Sequence, residues 1–190
     1  MKLAIILART RRPLRRFLAD KRGVSAVEFA MVLPLMVTLY LGGVEVSSAV
    51  AIDRKVTLIA RTLGDLVSQA TSVDDAGMTS ILSATTAVMA PYSDANLKII
   101  VSSVQINSQG VARVSWSDTK NGTPRTVGST VTLPAALNVA STSLIWAEAS
   151  YAYTPTIGYV ITGTKNLTDQ IYMRPRLTDC VLRPTTQTGC

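Results

Sequence analysis

A long run without charged residues constrains the possible folds of this chain more than any other feature of its sequence. Residues 29–44 carry no charge, and the wider segment 24–52 contains only two charged residues, Glu28 and Glu45. A helix rises about 1.5 Å per residue, so about 20 residues cross a hydrocarbon core about 30 Å thick. The run therefore predicts a helix that crosses a membrane over about residues 24–46.

The basic character of the chain lies almost entirely ahead of this run. Of the 19 basic and 12 acidic residues, eight basic residues and one acidic residue lie in residues 1–23, which gives this segment the whole net charge of +7. A nucleic-acid-binding domain spreads its cations over a folded surface, so no nucleic-acid partner is predicted. Because cationic flanks stay on the cytoplasmic side of a span, the chain after the helix is predicted to lie outside the cytoplasm.

Residues 1–23 do not have the order of a secretory signal peptide. Such a signal places an apolar core of about 7–15 residues ahead of its cleavage site. Here the long apolar run follows Gly23 instead. A cut after Gly23 would remove a basic leader, leave the helix on the mature protein and free the α-amine of Val24.

Glu28 is an unusual residue for a membrane-crossing helix. A carboxylate at mid-bilayer costs about 2.5–3.5 kcal/mol by insertion scales, less near an interface, and commonly marks a functional position. After Gly23, the first Lys or Arg is Arg54. A freed Val24 amine could supply the missing cation to Glu28 of a neighbouring subunit if the helices stack with an axial stagger. The simpler alternative is that Glu28 extends to the membrane interface.

The sequence after the span predicts two helical segments. Apolar residues continue at three- and four-residue steps, which is typical of an amphipathic helix. One continuous helix is therefore predicted over about residues 25–69, with its outer half packed on the C-terminal part of the chain. A second helix is predicted over Ala76–Ala90, ending before Pro91. The apolar positions of the first helix beyond the span are Ile52, Val56, Ile59, Leu63 and Leu66.

After Pro91 the period of apolar residues changes to about two, which is typical of strands. The predicted fold class is α+β: a long N-terminal helix and a short helix packed on an antiparallel sheet of about four strands, with residues 71–190 as the domain outside the cytoplasm. In the clearest strand, alternate side chains share one face: Ile145, Ala147, Ala149, Tyr151 and Tyr153. The predicted strands are Leu97–Ile106, Val111–Trp116, Thr126–Leu133 and Leu144–Tyr153, with shorter ones at Gly158–Ile161 and Gln170–Met173.

The sequence offers no set of residues for catalysis, a metal or a cofactor. There is no His, the commonest general base and metal ligand. The two cysteines, Cys180 and Cys190, cannot form a four-ligand zinc site by themselves, and no glycine-rich phosphate loop is present. Outside the cytoplasm a Cys180–Cys190 disulfide is the natural interpretation, and two free thiols are the alternative.

The residues around Gly23 resemble a known processing motif. Gly23, the four residues after it, Glu28 and the aromatic Phe29 are similar to the type IV prepilin cleavage motif. The longer run over residues 25–35 resembles the TadE-like pseudopilins of tight-adherence (Tad) pilus systems. Three further stretches are similar to members of that family: residues 43–45, 60–67 and 172–176.

The resemblance implies a pilin-like fold and a role in assembly. A prepilin peptidase would cut between Gly23 and Val24, and Glu28, with Phe29 beside it, would assist assembly by pairing with a neighbour's Val24 amine. The implied partners are this peptidase, other Tad pseudopilins and pilins, the inner-membrane assembly platform and membrane lipid. The chain is far larger than the major pilins of such systems, so the implied role is that of a minor pseudopilin of an adhesion pilus.

The implied location is the inner membrane of a Gram-negative bacterium. The chain would cross it once, with its N-terminus in the cytoplasm and its C-terminal domain in the periplasm. Two other functions stay open. One is a pseudopilin of a type II secretion machine. The other is an uncleaved bitopic envelope protein whose domain binds a ligand or a surface, and retention of residues 1–23 would favour it.

Overall fold

The computed structural model describes residues 22–155, 158 and 163–185. A long helix α1 (Arg22–Ser68) is followed by a short helix α2 (Asp75–Ala87) and then by four strands. This arrangement confirms the predicted α+β fold class. The strands are β1 (Leu97–Ile106), β2 (Ala112–Lys120), β3 (Thr142–Tyr153) and β4 (Lys165–Met173).

The four strands form one sheet in the order β2-β1-β3-β4, and every neighbouring pair is antiparallel. A short turn joins β1 to β2. In it the side-chain oxygen of Asn107 accepts hydrogen bonds from the backbone N–H groups of Gln109 and Val111, at 3.0 and 2.8 Å. Gly110 has a φ of 78° there, a conformation that glycine adopts without steric cost. The turn therefore forms from local sequence, as expected.

The outer half of α1 packs on one face of the sheet. The predicted contacts of Ile52, Val56, Ile59 and Leu63 are confirmed, since each is at most 2% exposed, but Leu66 is 37% exposed. Val67 is buried in its place. Steps of three and of four residues both keep side chains on one face of a helix. The sequence period alone therefore does not decide whether Leu66 or Val67 faces the core.

The contact between α1 and β4 is close at one glycine. A Cβ added at Gly64 would lie 3.2 Å from Ile171 Cγ2 and 3.3 Å from Met173 Sδ. Such distances are shorter than ordinary van der Waals contact, so the absence of a side chain lets α1 approach the sheet. This approach fixes the rotation of α1 about its axis near its end.

The main core lies between this face of the sheet, α1 and α2. The predicted face of β3 is confirmed, because its five alternate residues are all buried in that core. A smaller core lies on the opposite face and includes Leu133, Leu144 and Trp146. There the Arg125 guanidinium lies 3.5 Å from the ring centre of Trp146 and pairs with Glu148.

Four of the predicted elements need correction. Residues 126–133 are not a strand: they donate two backbone hydrogen bonds to β2, but Gly128 has a φ of 81°, which interrupts the extended backbone. The second helix ends at Ala87 rather than Ala90, because the N–H groups of the next three residues bind the carbonyls three residues back instead of four. Lys55 Nζ binds the carbonyls of Val88 and Ala90 at 2.9 and 2.7 Å.

The other two corrections concern the extent of β4 and of β2. The predicted short strand Gln170–Met173 is the last part of the longer β4. The strand β2 continues past Trp116 to Lys120. The predicted strand Gly158–Ile161 lies, except for Gly158, outside the described residues.

A C-terminal segment, residues 178–183, closes the end of the main core. The Leu182 backbone pairs with Thr71 and Val73, with N···O distances of 3.1 and 2.9 Å. The buried Trp116 donates its ring N–H to the carbonyl of Val181 at 2.8 Å. These contacts connect the chain end to the loop between the two helices.

Candidate membrane and assembly helix

The first half of α1 is apolar, and no other part of the chain that the structure describes buries it. Every residue from Val24 to Val37 is exposed. The most apolar 18-residue window has a mean hydropathy of 1.9, and none of it is buried. Soluble proteins rarely expose contiguous apolar surface on this scale. In the part of the chain that the structure describes, α1 is the one helix with the length and composition to cross a membrane.

The length of this free segment matches a bilayer. Going along α1, the first buried residues are Gly42 and Glu45. From Val24 to Leu41 the helix rises about 26 Å at 1.5 Å per residue, and a hydrocarbon core is about 30 Å thick. The globular domain therefore begins where a membrane would end.

The predicted assembly residues lie together at the free end of α1. Val24 and Phe29 are 53% and 61% exposed, and Glu28 is exposed one helical turn after Val24. Among the residues that the structure describes, none forms a hydrogen bond or an ion pair with Glu28. Its carboxylate is therefore available to another molecule.

The position of Gly23 is sterically open. A Cβ added there would meet no atom within 4 Å. A glycine at the start of a helix has no conformational advantage over alanine, which is the better helix former by about 1 kcal/mol. The folded chain itself therefore gives no reason for a glycine at position 23.

The hydroxyl of Thr38 finds its hydrogen-bond partner within the helix, near Pro34. Proline lacks a backbone N–H and removes one helical hydrogen bond. Thr38 Oγ1 donates to the Pro34 carbonyl at 2.8 Å, and α1 continues through this turn without a break. A hydroxyl that binds backbone of its own helix is suited to an apolar environment.

A second acidic residue marks the other end of the free segment. Glu45 is only 3% exposed, and Tyr153 donates its hydroxyl to the Glu45 carbonyl at 3.3 Å. Burial raises the pKa of Tyr153, and the charges of Glu45 and then Tyr92 add to the effect. The sequence showed Glu45 as the second charge of the span, but its contact with Tyr153 crosses 108 residues and has no local signal.

Of the two predicted disulfide residues, the structure describes Cys180. It is 1% exposed and lies within the C-terminal segment that closes the main core. Cys190 lies outside the described residues. The Cys180–Cys190 disulfide stays a prediction.

The fold and its free helix define a class of protein. A single exposed apolar helix of bilayer length leads directly into a small α+β domain. This is the architecture of a protein anchored in a membrane by one N-terminal helix.

One family model matches a part of the chain. Residues 23–63 match the family described as TadE-like protein. The match runs along α1 from Gly23 to Leu63, through Glu28 and Glu45, and it confirms the resemblance seen in the sequence. The family is associated with the Tad pilus and is structural rather than enzymatic. No curated protein and no solved structure matches the chain.

Proposed function

We propose that this protein is a minor pseudopilin for the biogenesis of a Tad-type adhesion pilus. The observation that carries the proposal is the free segment of α1, which has bilayer length, Gly23, Val24 and Glu28 at one end and the folded domain at the other. In this function α1 crosses the inner membrane once. The basic leader lies in the cytoplasm, and the α+β domain lies in the periplasm.

The first step is removal of the leader by a prepilin peptidase. Hydrolysis of the Gly23–Val24 bond leaves a carboxylate on Gly23 and an ammonium group on Val24. The leader takes the whole net charge of +7 with it, and the mature chain is neutral. The cut therefore creates the one cation at the membrane-embedded end of α1.

The second step is assembly through the new N-terminus. In one chain, Val24 and Glu28 are separated by one turn, about 6 Å along the axis, with no other described partner for the carboxylate. A neighbouring helix that is shifted along the axis brings its Val24 ammonium beside Glu28. Because water is scarce there, an ion pair is much stronger than at a protein surface, and a lone carboxylate is costly.

Apolar contacts support the same assembly. Phe29, Met31 and Leu35 are each at least 60% exposed in the single chain. In a membrane, helices associate by van der Waals packing and polar contacts rather than by the hydrophobic effect. Neighbouring pilin helices would cover these side chains, and the charge pair would set their axial register.

The assembly step is tested with the variant Glu28→Gln in a strain that produces the complete Tad system. The amide keeps the size of the side chain but does not attract an ammonium group. We expect recovery of tagged pilin subunits with the purified mature protein to fall about a hundredfold, since breaking a desolvated ion pair costs about 3 kcal/mol or more and each 1.4 kcal/mol is a factor of about ten.

The matched control is Asp53→Asn, which removes an exposed acid from the same helix beyond the free segment. It should leave the recovery of pilin subunits unchanged. Full recovery with Glu28→Gln would contradict the assembly role of this carboxylate. Equal losses in both variants would show that α1 acts through its general charge rather than through Glu28.

A further inference from the structure

The two edges of the sheet are protected to different degrees. Residues 126–131 cover the first half of β2 and share three backbone hydrogen bonds with Ala112 and Val114. A register shift also interrupts the pairing of β2 with β1, and both features hinder the addition of a further strand. The other edge strand, β4, contains no proline and pairs with β3 over nine consecutive residues without a register shift. In the described part of the chain, no residue forms a backbone hydrogen bond with its outer side.

Alternate residues of β4 direct their backbone polar groups to this free edge. Ala152 of β3 donates its N–H to the Asn96 carbonyl at 3.2 Å, on the β1 side, so the odd-numbered residues of β3 bond β4. Their partners in β4 are odd-numbered too, and the even-numbered residues therefore face outward. The Gln170 N–H agrees with this assignment, because it donates to Asp169 Oδ1 at 2.8 Å. The outward-facing residues are Asn166, Thr168, Gln170 and Tyr172.

The odd-numbered side chains of β4 combine apolar groups with two opposite charges. Leu167 and Ile171 pack against the main core but are only partly buried. Asp169 lies between them, and Lys165 is exposed at the start of the strand. Side chains directly opposite each other on paired strands interact. A matching antiparallel segment therefore carries apolar residues opposite Leu167 and Ile171. It carries a base opposite Asp169 and an acid opposite Lys165.

The direction of β4 decides between a second copy of this chain and a different protein. Lys165 pairs with Tyr153, whose hydroxyl binds the α1 backbone at the end of the free segment. At the other end of β4, Met173 lies beside Gly64 of α1. The strand β4 therefore runs in the same direction as α1. Two copies anchored in one membrane have parallel β4 strands, and the β2 edge of each copy is covered, so a second copy does not supply the antiparallel segment.

We propose that β4 binds an extended segment of a different protein by antiparallel strand addition. A carbonyl of the segment accepts the N–H of Gln170, and the displaced Asp169 carboxylate pairs with the basic side chain of the segment. Main-chain hydrogen bonds supply affinity, and the alternating side chains supply specificity. The choice of a different protein over a second copy rests on the membrane placement of α1 in the proposed function. Strand addition itself needs neither leader cleavage nor pilus assembly.

The test uses the full chain in detergent and a fluorescent synthetic peptide, Val-Thr-Val-Thr-Lys-Thr-Val-Thr-Glu, which matches β4 in the antiparallel direction. The control peptide has the reverse order and therefore the same composition. Fluorescence anisotropy measures both dissociation constants. We expect the matching peptide to bind about tenfold more tightly, because only its cross-strand pairs are complementary. Its binding should slow hydrogen exchange in β4 and leave exchange in β2 unchanged.

Two substitutions at one position separate the free edge from the fold. Thr168→Pro removes an outward N–H and places its ring at the edge, without removing a hydrogen bond to β3. It should weaken binding of the matching peptide about tenfold or more, through lost ladder hydrogen bonds. The control Thr168→Val keeps the N–H and the branched shape, and it should bind as the wild type does. Circular dichroism checks that both variants are folded.

A charge exchange tests the predicted pairing independently. Asp169→Lys should bind the matching peptide weakly and should prefer a peptide with Glu in place of its Lys. An unchanged preference in this variant would contradict the pairing of Asp169 with a base.

The absence of binding by the wild type would overturn the proposal, as would equal binding by Thr168→Pro and Thr168→Val. A preference for the reversed peptide would contradict the antiparallel direction. Self-association that Thr168→Pro abolishes and Thr168→Val preserves would identify a second copy as the occupant and contradict the choice of a different protein. An uncut leader or a failure of pilus assembly would contradict the proposed function and leave the peptide result unchanged.

Discussion

The side chain of Arg183 connects β2, the start of α2 and the loop before α2. Its guanidinium binds Asp118 at 2.8 and 3.2 Å, Asp75 at 2.7 Å and the Val73 carbonyl at 3.1 Å, although it is only 5% exposed. The hydrogen bond that Arg183 donates to Asp118 raises the pKa of Arg183 against the opposing effect of burial. The guanidinium therefore stays charged, and able to pair with both carboxylates, at all ordinary pH values.

We predict that Arg183→Met destabilises the domain by about 3 kcal/mol, because it leaves the partly buried Asp118 carboxylate without its cation. The matched control is Arg176→Met. Arg176 pairs with Asp65, but the two side chains are 56% and 40% exposed, and such pairs contribute about 1 kcal/mol or less. Denaturant unfolding of the full chain in detergent measures both changes. Equal costs for the two variants would contradict the structural role of Arg183.

At this scale the sequence predicted only the residues with a local signal. The spacing of Gly23 and Glu28 and the exclusion of charge from the span are visible within a few dozen residues. The contacts of Arg183 with Asp118 and of Tyr153 with Glu45 join residues 65 and 108 positions apart. No local pattern specifies such partners, because topology brings them together.

At the scale of elements, α1 combines two helices of different character in one continuous rod. Its first half is exposed and apolar, and its second half buries one face on the sheet. The sequence predicted this division. Of the five contact positions that it predicted beyond the span, four are buried. The prediction was wrong at Leu66, and Val67 faces the core instead.

The packing of α1 on the sheet predicts that two of its leucines contribute differently to stability. Leu63→Ala should cost about 2–4 kcal/mol, because it leaves a cavity in a close-packed core. Leu66→Ala should cost less than about 1 kcal/mol, because its side chain is 37% exposed. Unfolding monitored by circular dichroism compares them. A greater cost for Leu66→Ala would mean that α1 packs with a different rotation.

The strands show which sequence patterns predict a strand reliably and which do not. The alternating face of β3 was clear because each strand residue faces either the core or the opposite side. Residues 126–133 have β-rich composition, yet they make only an isolated bridge, between Arg113 and Thr130. Here a glycine with a left-handed backbone, Gly128, overrides the propensity of its neighbours.

At the scale of the whole molecule, charge divides the chain at one peptide bond. All the net positive charge lies ahead of Val24, and the helix and domain that follow are neutral as a whole. In the proposed function, the free length of α1 sets this bond near one membrane surface and the folded domain at the other. The charge division and the free length follow from composition and helix geometry, and they were the most predictable properties of the protein.

The central claim, processing at this bond, is tested most directly by the intact mass of the protein purified from membranes of cells that contain the prepilin peptidase. The account predicts a mature N-terminus at Val24 for the wild type and uncut precursor for Gly23→Ala. Because a Cβ at position 23 meets nothing within 4 Å among the described residues outside its own helical turn, a failure to cut this variant would come from the peptidase and not from misfolding. A wild-type mass that retains residues 1–23, or begins at any residue other than Val24, would contradict the account.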